Sequence, residues 1–145
     1  MYKIREALMS LRWSAALGTG VRQIDLQHAE LIDLMSTLEA AYGTGQDARI
    51  VDEVLPKLTA YVMFHFATEE ALMSSLRGAK EHVAAHLQEH RVFARRIHEL
   101  AGHPREPKEL ATFVTFLNDW LTEHIQRTDR KLGSLLAADA AVRRR

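Results

Sequence analysis

Four stretches of the chain repeat apolar residues at intervals of three and four, the pattern of a helix with one buried face. The first spans about Val21 to Tyr42 and carries Ile24, His28, Leu31, Met35 and Leu38 on its stripe. The second spans about Gln46 to Leu76, with Leu58, Tyr61, Val62, His65, Glu69, Leu72 and Met73. The third runs from about Ala79 to Leu100, with Val83, His86, Leu87, His90, Phe93 and Ile97. The fourth runs from about Pro107 to Leu132, with Leu110, Phe113, Leu117, Trp120, Leu121, His124 and Thr128. Gly43-Thr44-Gly45, Arg77-Gly78 and Ala101-Gly102-His103-Pro104 separate them as turn signals. Pro107 suits a first helical position. Pro56 is expected to kink the second helix or split off its first turn. The Ala-rich tail from Ser134 to Val142 is expected to add a last helical turn or two.

Long helices joined by short connections must alternate in direction. The predicted fold is therefore all-α, an up-down-up-down antiparallel four-helix bundle. Residues 1–20 read as an N-terminal arm anchored by Trp13, residues 21–132 as the bundle and 133–145 as a tail, all in one domain. A chain of 145 residues can bury a sizeable core.

Composition mainly excludes. The 19 basic and 19 acidic residues balance, which leaves no electrostatic footprint for nucleic acid or an anionic membrane. Arg143-Arg144-Arg145 is expected to be a solvated end. The chain has no cysteine, so disulfides, thiolate metal sites and cysteine nucleophiles are out. Lys3, Arg5, Glu6 and Arg12 interrupt the N-terminus, unlike a signal peptide. No stretch approaches the roughly 20 apolar residues of a membrane span. The expected location is cytoplasmic. Eight histidines in such a chain are many, and clustered histidines commonly bind metal.

The polar residues on the apolar stripes converge. His65 and Glu69 are four apart and share a helix face, as do His86 and His90. His28 lies on the first stripe and His124 on the fourth, with Asp129 five residues on. At about 1.5 Å rise per residue, all seven fall in a slab roughly 10 Å thick across the bundle. Five residues place Asp129 about 140° from His124 on a regular helix, so Asp129 needs a widened turn or a sideways reach. A lone histidine on an apolar face is usually a hydrogen-bonded core residue; five on four helices at one depth do not fit that description. Five imidazoles and two carboxylates are too many for one tetrahedral zinc. Nitrogen mixed with carboxylate suits a redox-active first-row metal. Two carboxylates can each bridge two ions, and five imidazoles divide three and two, leaving one ion a vacant position. His82 reads as a rim residue, Glu70 as solvated or behind the site, and His98 and His103 as unrelated. His86-Leu87-Gln88-Glu89-His90 also matches the H-x-x-E-H pattern of a zinc protease, with Glu89 as base. That pattern leaves His28, His65, Glu69 and His124 unexplained, and under the first reading Glu89 has no part in the site.

The segments WSAALGTGVRQIDLQH (13–28), YVMFHFATEEALM (61–73), HLQEHRVF (86–93) and WLTEHIQRTD (120–129) together resemble the bacterial members of the hemerythrin family, from Trp13 to about Leu132. Every metal-ligand position of that family is filled, and the His-to-Asp spacing of five is the family's own. Arg77-Gly78 departs from the Tyr-Pro often found in its turn. The resemblance implies a non-haem di-iron centre. Glu69 and Asp129 would bridge two iron ions, with an oxo or hydroxo group between them. His86, His90 and His124 would complete one iron; His28 and His65 would bind the other and leave it open to dioxygen. Leu31, Phe66, Trp120, Leu121 and Ile125 match the family's apolar lining of that open position.

The functional expectation is reversible dioxygen binding, as carrier, store or delivery protein, without enzymatic turnover and with an oxygen-consuming protein as recipient. An enzyme on the same site (peroxidase, nitric-oxide reductase or ferroxidase) is the alternative. It would need a proton relay or a wider pocket. A sensor acting through a partner is the third option, since the chain has no room for an output domain. Oxygen-activating di-iron bundles use paired Glu-x-x-His motifs, and this chain has none.

Overall fold

The computed structural model describes residues 12–41, 47–101 and 107–144. The expected breaks at 43–45 and 102–104, and most of the arm, lie outside the described residues. Helix α1 is Arg22–Ala41, α2 is Asp47–Met73 and α3 is Lys80–Ala101. The fourth rod is continuous: α4 (Pro107–Glu123), a π-helical turn (His124–Asp129) and α5 (Arg130–Arg143). The chain is a four-helix bundle with no strand among the described residues. No helix among them is long and apolar enough to cross a membrane.

The bundle has two apolar clusters with a polar layer between them. The larger includes Leu31, Leu38, Leu58, Val62, Phe66, Phe93, Ile97, Phe113, Leu117, Leu121 and Ile125. The smaller is built on Ile24, Met73 and Leu132, with Val83 and Leu87 packed against it. Each rod passes from one cluster to the other. Ile24 and Leu31 flank His28 on α1, Met73 and Phe66 flank Glu69 on α2, and Leu132 and Ile125 flank Asp129 on the fourth rod. The helical period thus sets both apolar stripes and the one polar step between them.

Three expectations change. Pro56 does not split off a first turn of α2, which runs through it. Proline removes the hydrogen bond to the carbonyl of Asp52, but both residues are exposed, so water can take its place. Trp13 does not anchor the arm: it is 38% exposed, and Leu17 is buried instead. The tail is helical as expected: residues 134–142 extend the fourth rod as part of α5, which packs through Leu132 and Leu136. Its basic end is not simply solvated, since Arg143 donates to the Ser75 carbonyl at 2.5 Å and pairs with Asp139 at 3.0 Å. The turn at Arg77-Gly78 forms as expected, with Gly78 at φ +87°.

The described part of the arm is strapped across the fourth rod. Thr19 donates from its backbone N–H and its hydroxyl to Asp25 Oδ1, each at 2.8 Å, which fixes the entry into α1. Arg130 reaches back to the Ala16 carbonyl. Gly133 is what lets the strap lie down: a Cβ there would stand 2.0 Å from the Thr19 carbonyl oxygen. Glycine to alanine within a helix normally stabilises by about 1 kcal/mol. Gly133→Ala is expected to do the opposite, destabilising by roughly 1–3 kcal/mol through overpacking against backbone. Urea denaturation measures the sign; a stabilised variant would show that the strap does not bear on α5.

Candidate metal centre

The polar layer contains all seven residues singled out by spacing. His28 comes from α1, His65 and Glu69 from α2, His86 and His90 from α3, and His124 and Asp129 from the π turn. All seven are buried, Glu69 and Asp129 completely. The turn His124–Asp129 is wound one residue wider than an α-helix. That widening carries a residue five positions on back to the same face. It is the local feature the spacing of His124 and Asp129 required.

Each carboxylate divides its oxygens between two sets of imidazoles. Glu69 Oε1 lies 2.5 Å from His65 Nε2 and 3.7 Å from His28 Nε2. Its Oε2 lies 2.8 Å from His86 Nε2 and 3.3 Å from His90 Nε2. Asp129 Oδ2 is 2.8 Å from His28 Nε2, while Oδ1 is 3.0 Å from His124 Nε2 and 3.1 Å from His86 Nε2. Two donor groups result, each with its atoms within 4.8 Å of one another: Glu69, His86, His90, His124 and Asp129, and His28, His65, Glu69 and Asp129. Both carboxylates belong to both groups. The carboxylate oxygens and the Nε2 atoms of His28, His86, His90 and His124 have no hydrogen bond of acceptable geometry. Buried polar atoms without partners are rare and costly. Converging lone pairs that miss one another but share two centres fit a pair of metal ions.

The outer nitrogens explain how the rings are aimed. His65 Nδ1–H donates to Gln27 Oε1 at 2.8 Å, and Gln27 donates to Thr68 Oγ1 at 3.1 Å. His124 Nδ1–H donates to Glu89 Oε2 at 2.7 Å, and the Thr128 hydroxyl donates to the same oxygen at 2.7 Å. His86 Nδ1 meets His82 Nε2 at 3.1 Å. Such contacts select the tautomer that presents Nε2 inward. Glu89 is therefore not idle, contrary to expectation: it sits beside the ligand stripe of α3 but faces the π turn. That orientation also withdraws it from the base role of the zinc-protease pattern. His82 is more than a rim residue, being the partner of His86. Glu70 is half-buried, 3.9 Å from His90 Nδ1 and beyond a hydrogen bond. His98 is exposed, and His103 lies outside the described residues. Gln27 and Glu89 each immediately precede a candidate ligand, His28 and His90, and their polarity beside a buried stripe was the signal to follow.

Aromatic rings close the layer on the side of the large cluster. Phe66 stacks on His90 at 3.8 Å between centroids, and Trp120 on His124 at 4.3 Å. Leu31, Leu121 and Ile125 are fully buried in the same cluster.

Without metal, protons hold the charges together. Burial opposes protonation of His28, His86 and His124, yet Asp129 and Glu69 override it and push each up to about 9. Burial likewise penalises the charge on Glu69 and Asp129, and the imidazoles nevertheless hold both carboxyls below their usual range. The hydrogen bond from His124 lowers Glu89 to about 2. His90 is lowered, because burial exceeds the pull of Glu69. The raised imidazoles stabilise the metal-free fold fully below their ordinary value of 6.5, and that contribution is lost as pH climbs through about 9. The melting temperature of metal-free protein should fall between pH 7 and roughly 9.5, while metal-loaded protein, its cations fixed, should fall much less. Parallel pH profiles for the two forms would contradict this balance of charge.

A profile of the family described as "Hemerythrin HHE cation binding domain" matches residues 19–136. The bacteriohemerythrin of Stenotrophomonas maltophilia (strain R551-3) is 33% identical over 121 residues, covering 83% of this chain and 77% of that one. The bacteriohemerythrin of Methylococcus capsulatus (strain Bath) is 33% identical over 135 residues, covering 91% and 99%. That of Pseudomonas aeruginosa (strain LESB58) is 30% identical over 120 residues, covering 82% and 76%. The matched span contains every residue of the polar layer, and the chain belongs to the hemerythrin family, in which such a histidine–carboxylate cluster implies non-haem iron.

Proposed function

We propose that this chain binds dioxygen reversibly at a di-iron centre held by His28, His65, Glu69, His86, His90, His124 and Asp129. The observation that carries the reading is the division of both Glu69 and Asp129 between a three-imidazole group and a two-imidazole group. Two iron ions, joined by an oxo or hydroxo group as well as the carboxylates, would supply two electrons and one open position for dioxygen. His28 and His65 would hold the ion with fewer imidazoles, the one that would keep a position free for the ligand. The membership of the family and its bacteriohemerythrin relatives support the same assignment.

The remaining chemistry is done by the chain. Glu69 and Asp129, shared by both donor groups, would hold both ions, and their charge would offset part of the ions' charge. The five imidazoles are neutral donors, so the set is less anionic than a carboxylate-rich one and disfavours high-valent iron. That supports binding over turnover. Leu31, Phe66, Leu121 and Ile125, all buried, and the half-buried Trp120 form the apolar wall beside the centre. In this role they exclude water and protons, which would otherwise strip the ligand and leave the irons oxidised. A bound store of dioxygen serves an oxygen-consuming protein, and we propose such a recipient as partner.

The test is an optical spectrum of the iron-loaded, reduced protein without oxygen, in air, and after purging. Bands that appear in air and vanish on purging are expected; bands that persist would replace the carrier by an enzyme or redox sensor. His124→Ala should remain helical by circular dichroism with less than full iron. Full iron and unchanged oxygen binding in that variant would overturn the ligand assignment.

A further inference from the structure

The two halves of the centre are backed by different chemistry. Behind the three-imidazole half stands a carboxylate: Glu89 Oε2 accepts from His124 Nδ1 at 2.7 Å and from the Thr128 hydroxyl at 2.7 Å. Arg127 is 3.8 Å from its other oxygen and largely exposed, so its compensation is screened. A second carboxylate, Glu70, lies 3.9 Å from His90 Nδ1 on the same half. Behind the two-imidazole half stands a neutral amide, Gln27, which accepts from His65 Nδ1 at 2.8 Å. The outer nitrogen of His28 is buried and has no hydrogen-bond partner among the described residues.

This difference reaches the inner nitrogens. A carboxylate that accepts the outer N–H of an imidazole draws on that proton and makes the other nitrogen a stronger donor. An uncharged amide accepts about half as strongly. Stronger donation stabilises the higher charge of a bound ion. We propose that Glu89 is a positioning residue, acting through His124, that makes the three-imidazole half electron-rich, while Gln27 keeps the two-imidazole half electron-poor. The inference rests on the di-iron reading above. It gives the halves unequal tendencies to be oxidised, with the ferric state favoured where no ligand position is open. Both ions must be ferrous to supply two electrons, so the proposed difference would make the closed half the first to oxidise and the open half the last.

Glu89 also links α3 to the π turn, because both of its donors lie there. Charge and geometry must therefore be separated. Glu89→Gln keeps a carbonyl oxygen for His124 and Thr128 and removes only the charge. Gln27→Glu puts a charge behind the other half. Each variant is loaded with iron and checked for iron content and helicity. It is then titrated anaerobically with dithionite through redox mediators, so that each ferric ion takes one electron to become ferrous. Glu89→Gln is expected to keep its helicity and both irons and to favour the ferrous form about tenfold, a rise of about 59 mV in a one-electron midpoint. Gln27→Glu is expected to lower the potential. Glu89→Ala, which loses the link as well, should also release iron to a chelator roughly 10–100-fold more readily. A fully loaded Glu89→Gln variant with the wild-type potential would overturn the proposal, as would a raised potential in Gln27→Glu. A wild-type chain that fails to hold two irons would overturn the di-iron reading instead, so the two failures are distinct.

Discussion

Glu69 and Asp129 lie with no exposed surface in the middle of an apolar bundle, close enough to share imidazoles. Transferring one such anion from water to a dry interior costs on the order of 20 kcal/mol in the idealised limit and several kcal/mol even after relaxation. Hydrophobic packing alone does not compensate a pair of them. Every other feature of the layer follows from that constraint. Four rods must each deliver opposite charge or a coordinating nitrogen at one depth, and they must do so with the donor atoms turned inward. Where metal is absent, protons on His28, His86 and His124 serve the same purpose, which is why all three hold theirs up to about 9.

The apolar clusters on either side turn this electrostatic demand into a defined shape. Ile24, Met73 and Leu132 close one end of the layer, and the large cluster closes the other. Phe66 and Trp120 lie flat against His90 and His124, which limits how those rings can turn. Hydrogen bonds from the outer nitrogens of His65 and His124 fix the remaining freedom. A centre built this way is preorganised: its donors are aimed before anything binds, so binding need not order them. In the proposed reading, rigid imidazoles and an apolar flank suit a centre that accepts a small ligand and returns it unchanged.

The π turn shows how one local irregularity serves the whole. A regular helix through residues 124–129 would point Asp129 away from His124, leaving one carboxylate on the wrong face of the rod. The extra residue in the turn brings both to the same face and shifts the phase of everything after it. Leu132 then meets Ile24 and Met73, and Gly133 meets the strap at Thr19. Such bulges are frequent at functional positions. Here the bulge lies within the span that defines the hemerythrin family.

The sequence by itself determined the four helices, their alternation and the seven residues of the polar layer. These follow from the period of 3.6 residues, because a buried position and its place along a rod are both local consequences of spacing. His28, Glu69 and His124 could be set at one depth by counting from helix ends alone. The His–Asp spacing of five even required the widened turn. What spacing does not reach is the direction of a side chain that leaves its own helix. Glu89 and Gln27 stand beside the stripe, and only the approach of the π turn and of α2 gave them partners, 35 and 38 residues away in sequence. Nor does the local pattern decide whether Pro56 splits off a first turn, which it does not. Local preference allowed a break at Pro56, while solvent on that face, which can satisfy the freed carbonyl of Asp52, lets the helix run through. Periodicity fixes which residues enter the core; the tertiary structure decides what each of them touches there, because those contacts are made between rods that the local pattern cannot see.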